Sequence, residues 1–215
     1  HVFYMPYIMP EAILEMDKLG VTAIQSHGEK AAAYMADAYA RVRRGPSLVM
    51  AQSVGAANLA AGLQDAYLAC SPVIALTGRE RQHHLNRNSY QEVDHVKPFA
   101  SVTKYSAYVP ALETLPMYLR QAFRSAVSGT PGPTHLDLEG IAGLTISDGE
   151  LDAEVVVEQQ FTQVPAFRPV ADPATIAKAL ELLGTANRPV IVAGGGVTAS
   201  DAREELIGLA EKLSI

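Results

Sequence analysis

The sequence predicts an α/β protein built on a parallel sheet with helices on both faces, and three observations support this prediction. Short β-rich segments alternate with longer helical segments along the chain, which is the order found in parallel sheets. The segments 48–51 and 72–77 are apolar at nearly every position, as in strands that are covered on both faces. Hydrophobic residues make up 48% of the chain and charged residues 19%, so the chain can bury a sizeable core.

The first half of the chain alternates four predicted strands with three predicted helices. Pro10 opens the first helix, since proline is favoured in the first turn, and Gly20 ends it. The second helix is rich in alanine, and a turn of small residues leads into the third. The predicted strands are 1–3, 21–25, 48–51 and 72–77, and the predicted helices are 10–20, 30–43 and about 57–69.

The second half is predicted to complete the same sheet. Residues 79–94 are polar without a clear period, so we expect a long surface loop there. Pro116 opens a helix to about Val127, and the following Pro-Gly-Pro sequence forces a turn. The remaining predicted strands of the first domain are 101–108 and 134–138.

The composition changes after the last of these strands. Acidic residues, three consecutive valines and two prolines are typical of a linker. Asp172-Pro173 combines an N-cap with a proline at the first helical position, and it opens a helix that precedes a strand at 189–193 and a helix from about residue 200. One strand and two helices cannot form a core, so we expect a longer protein. The predicted units are a first domain at 1–147, a linker at 148–170 and the first part of a second α/β domain at 171–215.

Charge and cysteine content argue against several functional classes. The net charge is −6 and the basic residues are scattered, so we expect neither a nucleic-acid partner nor a membrane-surface helix. No uninterrupted apolar run has transmembrane length. Cys70 is the single cysteine, which excludes an internal disulfide and a cysteine zinc cluster. It lies in an apolar run, so we expect it in the core of a cytoplasmic protein.

Glu29 is the first candidate site residue, because it follows His27-Gly28 where a predicted strand gives way to a helix. Ligands of open parallel sheets bind beyond the carboxyl ends of the strands. From spacing alone, the alternative that Glu29 only stabilises its helix through the helix dipole is favoured. A metal site at His27 and Glu29 lacks a third ligand at suitable spacing, so we expect no metal ligands in this chain.

Two segments of small residues and one polar loop are further candidates. Residues 53–58 lie between a strand and a helix, where a ligand can approach free backbone N–H groups, although tight packing explains them equally well. Residues 194–199 fit the Gly-x-Gly-x-x-Gly/Ala dinucleotide pattern, so a non-catalytic nucleotide-binding module is an alternative function. The loop that contains His83-His84, ends with residues 90–94 and precedes His95 either lines an active site or is merely solvated.

Taken in order, several motifs resemble those of the acetolactate-synthase-like branch of the thiamine-diphosphate enzymes. The most specific runs from Glu29 to Arg41, where a glutamate is followed by small residues and an Ala-Tyr-Ala-Arg ending. The other matching motifs are 52–58, 65–67, 71–78, 90–94, 102–104 and 132–137.

The resemblance implies a flavodoxin-like sheet that holds the aminopyrimidine ring of thiamine diphosphate. It implies that Glu29 bonds to a ring nitrogen and activates the cofactor to attack the carbonyl of a 2-oxo acid. By the same resemblance, Ser53, Gly55 and Asn58 shape the cofactor pocket.

Gln91 and His84 are implied to face the substrate. The loop 4–10 lacks the glycines that the family has there, so its bulky side chains are expected to reshape the substrate pocket.

The resemblance also implies parts that lie outside this sequence. In the family, Mg²⁺ and the diphosphate are held by a C-terminal domain with a Gly-Asp-Gly motif, which nothing here matches. The central domain of some members binds FAD. The cofactor lies between two subunits, so a homodimer or homotetramer is implied, and this chain alone is expected to be inactive. A fragment that assembles with other chains is the remaining alternative.

Overall fold

The computed structural model describes residues 1–6, 9–139 and 152–215. The chain divides into two compact units, His1–Ala166 and Phe167–Ile215. Tyr7 and Ile8 of the first loop, and the end of the predicted first domain with the start of the predicted linker at 140–151, lie outside the described residues.

The first unit is built on a six-stranded sheet in the order β2-β1-β3-β4-β6-β5, and every neighbouring pair is parallel. The order begins 2-1-3-4, as in flavodoxin-like sheets, and β6 then lies between β4 and β5. The predicted α/β class is confirmed. The strands are β1 (Val2–Tyr4), β2 (Ala23–Gln25), β3 (Ser47–Gln52), β4 (Val73–Arg79), β5 (Tyr105–Val109) and β6 (Thr134–Glu139).

Five helices of the first unit connect these strands. Four of them agree with the predicted helices, whereas a short fourth helix lies between the predicted loop 79–94 and the predicted strand 101–108, where no element was predicted. Pro98 lies in the first turn of this helix, where proline is tolerated. The strand predicted at 101–108 begins only at Tyr105. The helices are α1 (Pro10–Lys18), α2 (Glu29–Arg43), α3 (Gly55–Leu68), α4 (Val96–Ala100) and α5 (Leu115–Val127).

The two faces of the sheet carry side chains of different size. Val49 and Ala51 of β3 pack with α2 and α3 on one face, whereas Met50 of the same strand packs with α1 and α5 on the other. Small residues on the first face let α2 and α3 approach closely. A Cβ on Gly62 of α3 would lie 2.6 Å from the Cβ of Ala33 in α2. These two helices are therefore held in a fixed position above the strands.

Part of the predicted linker packs on the first unit. A short 3-10 helix at Gln159–Thr162 buries Phe161 among residues of the α5 face. Glu158 accepts hydrogen bonds from Arg120 and Arg124 of α5. The hydrogen bond from Arg124 holds the pKa of Glu158 below its ordinary value.

The second unit contains α6 (Pro173–Thr185), α7 (Gly195–Ala199) and α8 (Arg203–Leu213). The predicted start of α6 is confirmed, because the Asp172 side chain accepts a hydrogen bond of 2.8 Å from the Thr175 backbone N–H. The strand predicted at 189–193 is not formed. A strand needs a neighbour for its backbone hydrogen bonds, and the described part of this unit contains no second strand.

The prediction that Cys70 lies in the core is wrong. Cys70 is exposed and follows the end of α3 in the left-handed conformation, with φ of 58°. The apolar run around it belongs to the last turn of the helix, so only part of the run faces the sheet. Within the described ranges, no helix is both long enough and apolar enough to cross a membrane.

Candidate active site

Glu29 is the first residue of α2, at the edge of the sheet where the parallel strands end. The turn that precedes it is held by Ser26, whose backbone N–H donates to the Tyr4 carbonyl at 2.8 Å. The Ser26 hydroxyl donates to the Gly28 carbonyl at 2.8 Å. These two bonds join the ends of β1 and β2 to the start of α2, so they fix the point from which the Glu29 side chain projects.

The Glu29 carboxylate lies against the start of α3. A Cβ on Gly55, the first residue of that helix, would lie 2.3 Å from Glu29 Oε1, so only glycine leaves room for the carboxylate there. The Asn58 side-chain amide donates to Glu29 Oε2 at 3.3 Å. The structure therefore brings Glu29, Gly55 and Asn58 together, and the carboxylate keeps acceptor positions for a further donor.

Ser53 lies in the turn before α3, with its side chain buried. Its φ of 41° is in the left-handed region, which residues with a Cβ seldom adopt. Its backbone N–H donates to the Gly78 carbonyl at 2.8 Å. Its carbonyl accepts hydrogen bonds from the Ala56 N–H at 3.0 Å and from His95 Nε2 at 2.8 Å. The turn is thus tied to β4 and to the residue that precedes α4.

A buried chain of polar side chains continues from His95 across the sheet. His95 Nδ1 lies 2.8 Å from Asp137 Oδ1, and the Thr77 hydroxyl donates to the same oxygen at 2.8 Å. The Thr77 hydroxyl also lies 2.7 Å from His135 Nε2, and His135 Nδ1 lies 2.8 Å from the Ser106 hydroxyl. Burial, and secondly the charge of His95, lower the pKa of His135 well below its ordinary value.

A second layer of charged groups lies beside Asp137. Arg79 Nη1 is 3.4 Å from Asp137 Oδ2, and the Arg79 guanidinium lies over the Tyr108 ring, 4.8 Å from its centroid. The Tyr108 hydroxyl donates to Glu139. Burial, and next this hydrogen bond, raise the pKa of Tyr108 well above its ordinary value, so the phenol remains a donor.

The two residues predicted to face the substrate lie in the loop after β4. His84 Nδ1 is 2.9 Å from Glu80 Oε1, and Gln91 donates from its side chain to the Tyr90 hydroxyl at 2.8 Å. Both bonds are made within the loop itself, so they do not join the loop to the Glu29 carboxylate. The structure therefore groups Glu29, Gly55 and Asn58 beside the turn at Ser53, whereas the side-chain bonds of His84 and Gln91 named here lie within the loop.

Sequence reasoning did not identify the His95 network as part of the site. One signal was available, because His135 and Asp137 alternate with Leu136 and Leu138 in a strand of a sheet that is covered on both faces. Buried polar groups in such a position need hydrogen-bond partners, and these partners come from β4, β5 and the residue before α4. Across the described part of the chain, no three His, Cys, Asp or Glu side chains form a group suited to a metal ion.

Two family models match this chain. One describes the N-terminal TPP binding domain of thiamine pyrophosphate enzymes and matches residues 1–97. The other describes the central domain of the same enzymes and matches residues 176–215. The second match includes Gly194–Ala199, and nothing in the comparisons supports the nucleotide-binding alternative.

Curated relatives agree with these matches. A probable acetolactate synthase large subunit of Methanocaldococcus jannaschii is 38% identical over 195 residues, which are 89% of this chain and 32% of that protein. A glyoxylate carboligase of Escherichia coli O157:H7 is 31% identical over 198 residues, which are 91% of this chain and 32% of that protein. The chain thus spans about a third of the length of these relatives.

Solved structures show the same fold. A putative thiamin diphosphate-dependent enzyme from Mycobacterium smegmatis superimposes with a TM-score of 0.80 at 25% identity, over 99% of this chain and 40% of that one. Benzoylformate decarboxylase from Polynucleobacter necessarius superimposes with a TM-score of 0.78 over 98% of this chain and 38% of that one. The second pair is 20% identical, so that likeness concerns the fold alone.

Proposed function

This chain belongs to the thiamine pyrophosphate enzymes, and from that membership we propose that the whole protein is an acetolactate synthase-like lyase or transferase acting on a 2-oxo acid. The relatives named as acetolactate synthase and glyoxylate carboligase support a carboligase. Within that reaction, this chain would activate the aminopyrimidine ring of the cofactor.

Glu29 is the catalytic residue of this proposal. Bound thiamine diphosphate supplies a nucleophilic carbon and an electron sink for the 2-oxo acid. The Glu29 carboxylate would accept a hydrogen bond from a ring nitrogen and hold a proton there. The observation that carries this role is the carboxylate itself, which lies at the carboxyl end of the sheet with Asn58 as its hydrogen-bond donor.

Ser53, Gly55 and Asn58 would form the wall of the cofactor pocket. The missing side chain of Gly55 lets the Glu29 carboxylate lie against the start of α3, and a flat ring would meet the carboxylate there. The Asn58 amide would keep that carboxylate in one orientation. The left-handed turn at Ser53 would set the position of Gly55.

His84 and Gln91 would face the substrate from the loop after β4. The Nδ1 atom of His84 is hydrogen-bonded to Glu80, so Nε2 is the ring nitrogen that would contact a ligand. Replacing either residue would then change the KM for the 2-oxo acid more than the KM for the cofactor.

The remaining parts of the proposal concern the whole protein. Mg²⁺ would be held with the diphosphate by residues beyond this chain, and the central domain could take up FAD. The protein would work in the cytoplasm as a homodimer or homotetramer, because the ring and the diphosphate would be held by different subunits.

The test is a Glu29→Gln substitution in the full-length protein. We expect turnover of a 2-oxo acid to fall by about a hundredfold or more, because the amide cannot carry the proton that the carboxylate carries. The measurement is a steady-state decarboxylation assay with saturating thiamine diphosphate and Mg²⁺.

Glu11→Gln is the matched control, since Glu11 is also an acidic residue in the first turn of a helix. If both glutamates only stabilise their helices through the dipole, each substitution lowers stability by about 0.3–1 kcal/mol and turnover stays unchanged. Turnover of Glu29→Gln equal to that of Glu11→Gln would overturn the proposal.

A further inference from the structure

The hydrogen bonds of His95 determine where its protons lie. Its Nε2 is 2.8 Å from the Ser53 carbonyl oxygen, and its Nδ1 is 2.8 Å from Asp137 Oδ1. A carbonyl oxygen and a carboxylate oxygen both accept hydrogen bonds, and only the protonated imidazole ring donates from both nitrogens. With Asp137 as a carboxylate, complementarity between donors and acceptors therefore favours an imidazolium at His95.

The rest of the network agrees with this assignment. The Thr77 hydroxyl has one proton, and it donates that proton to Asp137 Oδ1. Thr77 must then accept from His135 Nε2, so His135 Nδ1 is free to accept from the Ser106 hydroxyl. A neutral His135 satisfies both contacts, in agreement with its lowered pKa.

Asp137 is the counter-ion of His95. Its Oδ1 already receives hydrogen bonds from His95 and Thr77. Its buried Oδ2 has no hydrogen-bond partner in the described part of the chain and faces Arg79 at 3.4 Å. A proton on Oδ2 would have no acceptor, and a proton on Oδ1 would leave a neutral acid beside the Arg79 cation. The nearby positive charge therefore favours the carboxylate over either neutral form.

We infer that His95 is a positioning residue: as an imidazolium paired with Asp137, it holds the Ser53 carbonyl and so fixes the left-handed turn that brings Gly55 against the Glu29 carboxylate. The turn needs such a bond, because a residue with a Cβ is strained in this conformation. The effect on the cofactor rests on the function proposed above, whereas the protonation of His95 does not.

The first experiment is a nitrogen NMR spectrum of the purified protein labelled with ¹⁵N-histidine at neutral pH. We expect both nitrogens of His95 to be protonated, and Nε2 alone of His135. A His95→Gln variant assigns the signals by removing one set. A single protonated nitrogen on His95 would overturn the inference, and this result does not depend on cofactor binding.

The second experiment compares His95→Leu, His95→Gln and Ser101→Ala in the full-length protein. His95→Leu should raise the KM for thiamine diphosphate about tenfold, as expected for the loss of a charge-assisted hydrogen bond, with a smaller change of kcat at saturating cofactor. Gln still donates to the Ser53 carbonyl, so it should restore most of the affinity. Ser101→Ala removes an exposed hydroxyl at the other end of α4, outside the network, and should leave the KM unchanged.

The outcomes separate this inference from the proposed function. If Glu29→Gln retains turnover but the His95 spectrum is that of an imidazolium, the function fails and the protonation of His95 stands. If Glu29→Gln is inactive while folded His95→Leu and His95→Gln both keep the wild-type KM, the function stands and His95 is not a positioning residue. The leucine variant leaves Asp137 without its counter-ion and can fail to fold for that reason. In that case, the KM of the glutamine variant and the NMR spectrum still test the role of His95.

Discussion

The missing side chain at Gly55 sets how closely the Glu29 carboxylate approaches α3. Gly55→Ala would bring a Cβ to 2.3 Å from Glu29 Oε1, and the flexible end of Glu29 would have to move. We expect turnover of the full-length protein to fall by about a hundredfold, as expected for a displacement near 1 Å at a reacting centre. Thermal unfolding should change little.

Ala61→Ser is the matched control, because it adds one heavy atom to an exposed position of the same helix. Wild-type turnover in Gly55→Ala, or a loss as large in Ala61→Ser, would show that the close approach at Gly55 has no role in the reaction.

At the scale of residues, local spacing predicted where the candidate residues lie, whereas their roles were implied by the resemblance to a family and stay a proposal. Glu29, Ser53, Gly55 and Asn58 all lie at a strand-to-helix turn or in the first turn of the helix that follows, and these places follow from the order of the elements. The partners of Asp137 could not be predicted in this way. His95 is separated from it by 42 positions and Thr77 by 60, so their contact depends on the strand order and on the rotamers of buried side chains.

At the scale of elements, the close contact of α2 and α3 positions the residues around Glu29, since α2 contributes Glu29 and α3 contributes Gly55. Gly62→Ala would place a Cβ at 2.6 Å from that of Ala33 and at 3.0 Å from the Lys30 carbonyl oxygen. Alanine favours the helix by up to about 1 kcal/mol, but overpacking costs about 1–3 kcal/mol. We therefore expect a lower free energy of unfolding by denaturant.

The double variant Ala33→Gly/Gly62→Ala provides the control, because it moves the methyl group from one helix to the other. It should recover part of the stability lost in Gly62→Ala. An unchanged or higher denaturant midpoint of unfolding in Gly62→Ala alone would mean that α2 and α3 can move apart without a loss of stability.

Predictions of structure and burial were wrong where they depended on contacts with residues that are distant in the sequence. The segment 189–193 has the composition of a strand, but no neighbouring strand is present in the described part of its unit. The apolar run around Cys70 suggested burial, but the end of α3 turns that residue outward. The strands β3 and β4 were predicted well, because strands that are covered on both faces leave an uninterrupted apolar signal.

At the scale of the whole first unit, the buried His135 links folding to pH. Its pKa in the folded protein is well below the ordinary value of 6.5, so the unfolded chain binds a proton that the folded chain does not. The contribution of His135 to stability is therefore full above that value and falls as the pH drops below it, by at most about 1.4 kcal/mol per pH unit.

We expect the free energy of unfolding to decline less steeply between neutral and mildly acidic pH in His135→Gln than in the wild type. Glutamine can still donate to Thr77 and accept from Ser106, so the comparison isolates the titration. His83→Gln, at an exposed position, should keep the wild-type slope. Identical slopes in all three proteins would contradict the assignment of a neutral His135.

The position of β6 between β4 and β5 has a consequence for biosynthesis. The strand that carries His135 and Asp137 is the last of the sheet to leave the ribosome, yet both of its edges are paired within the sheet. Until Glu139 has emerged, a nascent chain has open backbone edges on β4 and β5, and such edges pair readily with other chains. His95 also lacks its counter-ion during that interval, so the pocket around Glu29 can take its final form only when translation has passed the sixth strand.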